Sequence, residues 1–417
     1  MSKDKPGHRA TSPPSATADQ IATTILPVVR ILVLIAGIGI AGLGLSCSAA
    51  GLLGVLLGQM GRDVEAAAAV QGVTFYTGFV ALSSILGLAL AWHAWRSIQR
   101  RPSAPFYPPP TWPLLLLFLL ALAAGQIILS ADLLPALTFP LAHVAVAVIP
   151  PLAIVALTGR ALRGISNWRT MTLQLAGGAF LGTFLAFALE LAILLVLFVG
   201  AMAAIAIQPG GEQILTDLAD GLTRLQLEDP SVLFELLDVP LVAVGAIVVV
   251  AVVVPLLEEL VKTAGVGIMA YRRPGQAQAI LWGVAAGAGF ATVEGLFNTL
   301  GSLDSWALIV VLRIGATLLH CFTGALMGLA WHHVLAGRWL RAIGLYAGSV
   351  MIHAAWNGLS MGMALVSVDT GGGGNVTPDV LVAGTASTVL LVLLIALAGG
   401  MASGLAWIVR RANVAAT

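Results

Sequence analysis

The chain has 417 residues, of which 59% are hydrophobic and 9% charged, with a formal net charge of +1. Soluble domains carry roughly 25% charged residues, so this composition excludes a water-soluble globule and points to a polytopic membrane protein. No basic patch is dense enough for nucleic acid, and the two cysteines, Cys47 and Cys321, both sit in apolar runs, which argues against a disulfide framework.

The chain opens with MSKDKPGHRATSPPSATADQIATTI, polar and rich in Pro, Ser and Thr. Residues 1–30 are expected to form a disordered cytoplasmic tail. The apolar run after it, 31–57, is much longer than the roughly 7–15 residues of a signal-peptide core, and reads as a retained first span. Nine more spans are expected near 73–94, 113–131, 136–159, 172–206, 240–271, 277–300, 305–336, 342–367 and 380–409. The fold class is therefore all-α, a bundle of about ten transmembrane helices. Residues 31–207 form an N-terminal five-helix region. An acidic outer loop, 208–238, follows, in which ILTDLADGLTRL has the spacing of an amphipathic helix. A four-helix core at 239–367, a glycine-rich linker and a last helix at 380–409 complete the chain. Trp306, Trp331, Trp339 and Trp407 fall near span ends and read as interfacial belt residues.

With both termini cytoplasmic, 16 of the 20 Lys and Arg residues fall on inner segments and only Arg62 and Arg224 on outer ones. The other two, Lys262 and Arg313, lie inside spans. Three Lys against 17 Arg suggests a bacterial or archaeal cytoplasmic membrane.

Intramembrane ionisable groups normally face the bundle interior and mark a site or pathway. Here they concentrate in spans six to nine: Glu258, Glu259 and Lys262; Glu294; Arg313 and His320; His353 and Asn357. Glu258 and Lys262 are spaced i,i+4, Glu259 and Lys262 i,i+3, and His353 and Asn357 i,i+4, so each group shares one helix face. Four polar faces can meet around one cavity. A carboxylate beside a protonatable partner suits general acid–base work on water, and a His–Asn pair suits donation to a developing oxyanion. Elsewhere His143 reads as a core histidine and Glu190 as a structural residue, with facing the site or pairing with Arg313 as the alternatives for Glu190.

EELVK at 258–262, FATVE at 290–294, His320 and HAAWN at 353–357 resemble the PrsW family of intramembrane proteases, distant relatives of the CAAX prenyl proteases. The resemblance covers about 240–365. It implies a glutamic-type endopeptidase with no cofactor, acting on a membrane-anchored protein substrate such as an anti-sigma factor. It also implies roles. Glu258 would be the general base, Glu259 would pair with Lys262, and Glu294 would hold or polarise the water. His353 and Asn357 would form the oxyanion site, His320 a further polar wall, and Arg313 a structural contact. Zinc held by Glu258, Glu294, His320 and His353 is the mechanistic alternative, although no HExxH is present. A proton-coupled transporter or a non-catalytic scaffold is the alternative of a different class.

Overall fold

The computed structural model describes residues 16–61, 66–226, 240–368 and 378–414. These residues form helices with no named strand among them, and ten helical segments are long and apolar enough to cross a bilayer. The protein is a polytopic all-α membrane protein. The first four crossings are α1 (Ala16–Gly61), α2 (Ala66–Ile98), α3 (Trp112–Ser130) and α4 (Pro135–Ala161). The fifth joins α5 (Trp168–Ala176) to α6 (Thr183–Ala206) through a π turn at Gly177–Gly182. After α7 (Gly211–Gln226), the sixth crossing is built from α8 (Pro240–Val248), a π turn at Val249–Val253, α9 (Val254–Val261) and α10 (Ala264–Ile268). The last four are α11 (Gln276–Asn298), α12 (Trp306–Leu335), α13 (Trp339–Val368) and α14 (Pro378–Val414).

Two expectations change. The tail expected to run to residue 30 is helical from Ala16, because a nucleated helix gains one hydrogen bond for each further residue it orders; residues 1–15 lie outside the described residues. Trp306, expected in the aromatic belt, is fully buried. Its Nε1 donates to His143 Nδ1 at 3.1 Å, and His143 Nε2 donates to the Leu296 carbonyl at 3.1 Å. His143 is thus a satisfied core histidine pinning α4, α11 and α12 together. Trp331 is half-buried and donates to Thr263 Oγ1 at 3.1 Å, whereas Trp339 and Trp407 are exposed. Within the acidic loop the described part is α7, and 227–239 lie outside the described residues. So does most of the glycine linker, 369–377.

The centre of the bundle is α11, in which 18 of 23 residues are buried. It packs against α4, α5, the π turn at Gly177–Gly182 and α12. Glycines make the closest of these approaches. A Cβ on Gly283 would strike the Gly324 carbonyl, one on Gly287 the His320 carbonyl, and one on Gly328 the Ala279 carbonyl. Small residues at such spacing let membrane helices approach backbone to backbone. The seam between α11 and α12 fixes the relative height of Glu294 and His320.

Candidate active site

The sixth crossing cannot be a regular helix. In its π turn the Val254 N–H bonds the Val249 carbonyl, an i to i−5 pattern. The next donor in that pattern would be residue 255, a proline without an N–H. The Val250 carbonyl that this leaves over accepts instead from Asn357 Nδ2 on α13 at 3.0 Å. Six residues on, Tyr346 of α13 donates through its hydroxyl to the Leu256 carbonyl at 2.7 Å. These two bonds bracket the approach to α9, which carries Glu258 and Glu259, both buried.

Glu259 is held from two sides. Lys262, fully buried at the end of α9, places Nζ 2.5 Å from Glu259 Oε1 and 2.5 Å from Thr323 Oγ1 on α12. The same Glu259 oxygen lies 2.8 Å from His353 Nδ1. A parallel arrangement forms on the other wall. Glu294 Oε2 of α11 forms ion-pair contacts with Arg313 Nη2 at 2.8 Å and His320 Nε2 at 2.5 Å. Its Oε1 receives Arg313 Nη1 and Asn298 Nδ2, each at 3.2 Å. Arg313 and His320 are seven residues apart on α12 and so share a face. The Phe290 ring lies against His320 with centroids 5.1 Å apart.

The two histidines meet edge to face, 5.1 Å between centroids, and His353 Nε2 stands 3.7 Å from Glu258 Oε2. Glu258, His320 and His353 each offer one ligand atom, and these atoms lie within 4.8 Å of one another. An ionised carboxylate only accepts hydrogen bonds, so in a neutral ring the proton sits on the nitrogen that faces it. That is Nδ1 of His353 and Nε2 of His320. The remaining nitrogen of His353, Nε2, faces Glu258. His320 Nδ1 and Glu258 Oε2 are buried without a hydrogen-bond partner among the described residues. Lys262 offsets Glu259 and Arg313 offsets Glu294, which leaves Glu258 as the uncompensated carboxylate of the three. Buried acceptors left unsatisfied are costly. A water can donate only two protons to three acceptors, whereas a cation satisfies all three. Histidine ligands that give their outer N–H to a carboxylate are the usual support around a bound metal. The residues present therefore fit a divalent ion.

Glu294 stands behind His320, not among the three inward-facing groups. Asn357, one turn from His353, spends one amide hydrogen on Val250 and keeps a second. Glu190, weighed as a partner for Arg313, has Oε1 enclosed without a hydrogen-bond partner among the described residues; it lies within electrostatic range of Glu294 and Glu258. Sequence reasoning missed Thr323, Asn298 and Tyr346. Spacing held the signal in each case: Thr323 follows His320 by three, Asn298 follows Glu294 by four, and Tyr346 precedes His353 by seven.

A family model described as PrsW family intramembrane metalloprotease matches residues 166–397. That stretch is more than half of the chain and includes every residue of the two carboxylate–histidine pairs. No curated protein matches, and no solved structure does. From the α5 N-terminus to the middle of α14, with the polar cluster enclosed between, the chain belongs to the PrsW family of intramembrane proteases.

Proposed function

We propose that the protein hydrolyses peptide bonds of membrane-embedded or membrane-anchored proteins with a divalent metal ion held by Glu258, His320 and His353. The observation that carries this reading is the convergence of Glu258, His320 and His353 within 4.8 Å, beside the fact that Glu258 Oε2 and His320 Nδ1 are buried without a hydrogen-bond partner among the described residues. A zinc-like ion bound there would supply Lewis acidity to a carbonyl and make bound water acidic.

The chain's own residues supply the rest. Glu259 and Glu294 fix the tautomer and tilt of His353 and His320 through their outer nitrogens. Lys262 and Arg313 keep those carboxylates charged and stationary, and Thr323 holds the Lys262 ammonium. Asn357 has one amide hydrogen free to meet charge developing on a substrate carbonyl, one turn from His353. The buried wall of α11, with Phe290 over His320, limits the site to few waters, which strengthens each of these contacts.

A metal-free reading has one observation in its favour. Around a tetrahedral zinc with bonds of about 2.0–2.1 Å the ligand atoms lie about 3.4 Å apart. Around a water oxygen with bonds of about 2.8 Å they lie about 4.6 Å apart. The spread of up to 4.8 Å is nearer the second value. In that case Glu258 is the general base on a water shared with the two imidazoles, a glutamic-type hydrolysis.

The deciding experiment uses the full chain in liposomes with fluorogenic transmembrane peptides. On the metal reading, 1,10-phenanthroline abolishes cleavage and added zinc restores it. His320→Ala also lowers the zinc content of the purified protein. Full activity after chelation, with no metal in the preparation, would leave the glutamic reading standing. Glu258→Gln is expected to abolish cleavage on either reading, with the helical circular dichroism unchanged. Cleavage surviving in Glu258→Gln would remove both.

A further inference from the structure

One end of the bundle carries charge that peptide hydrolysis does not use. The helix ends and connections at 92–112, 158–170, 266–276, 332–342 and 408–414 contain twelve arginines and no Asp or Glu. The usual excess of basic residues on cytoplasmic loops accounts for their number. It does not account for the placement of three arginines on three packed helices. Arg30 of α1, Arg96 of α2 and Arg169 of α5 are each half-buried, and Arg169 lies within electrostatic range of the other two. Arg169 donates through Nη2 to the Arg101 carbonyl at 2.9 Å, while its Nε is enclosed without a hydrogen-bond partner among the described residues. His93, three residues before Arg96, also lies within electrostatic range of Arg96 and Arg169. Like charges gathered in this way repel, and an anion among them relieves the repulsion.

Farther along the same helices lies an apolar cavity of about 580 Å³, open to one side where Leu43, Phe184 and Phe187 are exposed. Ile40 of α1, Leu82 of α2, Phe180 of the π turn, Phe184 and Phe187 of α6 and Leu296 of α11 line it. Its two hydroxyls are turned away, Ser83 to the Phe79 carbonyl and Thr183 to the Gly178 carbonyl, so the wall offers hydrocarbon contact only. Ten residues separate Arg30 from Ile40, and ten separate Arg169 from Ala179. At 1.5 Å per residue the cavity lies about 15 Å along the helices from the arginines. That is the depth of one leaflet in a hydrocarbon core about 30 Å thick. An anion-seeking cluster at headgroup level and a dry slot beneath it match the two halves of one molecule. A transmembrane segment of a substrate would suit the slot but would leave the arginines without a counter-charge.

We propose that Arg30, Arg96 and Arg169, with the cavity between α1, α2 and α6, bind one anionic phospholipid. Its phosphate lies among the guanidinium groups, and an acyl chain fills the gap between the α1–α2 hairpin and the protease half. Basic pockets between membrane helices are known hosts for such headgroups.

The test is native mass spectrometry of the detergent-purified full chain, titrated with phosphatidylglycerol or phosphatidylcholine. One phosphatidylglycerol is expected to remain bound, and phosphatidylcholine is not. The triple variant Arg30→Gln/Arg96→Gln/Arg169→Gln should weaken binding on the order of 100-fold, the loss three basic contacts would give. Arg100→Gln/Arg338→Gln/Arg410→Gln removes the same charge elsewhere on that end and should bind as the wild type does. Ile40→Trp, which fills the slot without touching charge, should also weaken retention, with its thermal midpoint confirming that the fold is kept. Equal loss in both triple variants would reduce the site to a diffuse lipid annulus and overturn the proposal. Displacement of the lipid by inorganic phosphate would overturn it in favour of a soluble anion. Undiminished binding in Ile40→Trp would exclude the acyl slot. None of these outcomes depends on whether the active site holds a metal.

Discussion

Lys262 shows how much one side chain carries. It is fully buried, and among the described residues its ammonium is satisfied by Glu259 and Thr323. Lys262→Met leaves Glu259 charged and enclosed, and breaking a buried pair in this way costs about 3–5 kcal/mol. The thermal midpoint should fall accordingly, and should fall much less when Glu259→Gln is made in the same chain. Glu294 acts at one remove, through the outer nitrogen of His320. Glu294→Gln is expected to weaken zinc binding by about 10–100-fold, as losses behind a metal ligand commonly do, while leaving the helical content unchanged; a zinc titration against a chromogenic chelator reads it. At this scale the sequence was legible where charge met hydrocarbon. Glu258, Glu259, Lys262, Glu294, Arg313, His320 and His353 stand out in apolar runs, and all seven meet in one cluster. Thr323, Asn298 and Tyr346 did not stand out, because hydroxyls and amides are ordinary in membrane helices and satisfy their own backbone as often as a neighbour.

Between residue and molecule lies the broken sixth crossing. Its apolar run from 240 to 271 is longer than one crossing needs, which leads one to expect tilt, a break or interfacial ends, but the place of the π turn is not legible there, since Pro255 alone does not say which carbonyl it leaves over. The structure assigns that carbonyl to Val250 and its substitute donor to Asn357. Asn357→Ala should therefore cost about 1–3 kcal/mol, the penalty of a backbone acceptor left unpaired on a membrane-spanning helix. Pro255→Ala restores a backbone N–H at the missing place, so Asn357→Ala should cost markedly less in that background. A double-mutant cycle on thermal unfolding in detergent measures the difference. The α11–α12 seam sets a second condition. A side chain at Gly287 would push into the His320 carbonyl, so Gly287→Leu should abolish cleavage by separating Glu294 from His320, whereas Gly399→Leu on α14, with open space around it, should be tolerated.

At the level of the whole protein, alternation of apolar runs was enough to give ten crossings, and the described residues hold ten helical segments long and apolar enough to cross. Run length could not give helix ends or depth of burial. Residues 16–30 continue α1 although Thr, Asp and Gln are frequent in their first half, and Trp306 lies in the core although it begins a span. Both depend on neighbours that no local window contains. A bound metal would tie α9, α12 and α13 together, since its three holders come from those three helices. At a free concentration about 100 times its dissociation constant it would add about 2.7 kcal/mol to stability, so stripping it should lower the thermal midpoint and His353→Ala should remove the difference.

The enclosure of α11 also bears on how the protein is made. The two helices that carry Glu294 and His353 are the least hydrophobic of the ten crossings: α11 gives its surface to glycine seams inside the bundle, and α13 carries Ser349, His353, Asn357 and Ser360. A translocon that sorts segments by their own affinity for the bilayer would release these two poorly as individuals. Their retention during synthesis then depends on helices already in place, and a nascent chain lacking α4 and α5 should fail at insertion before it fails at catalysis.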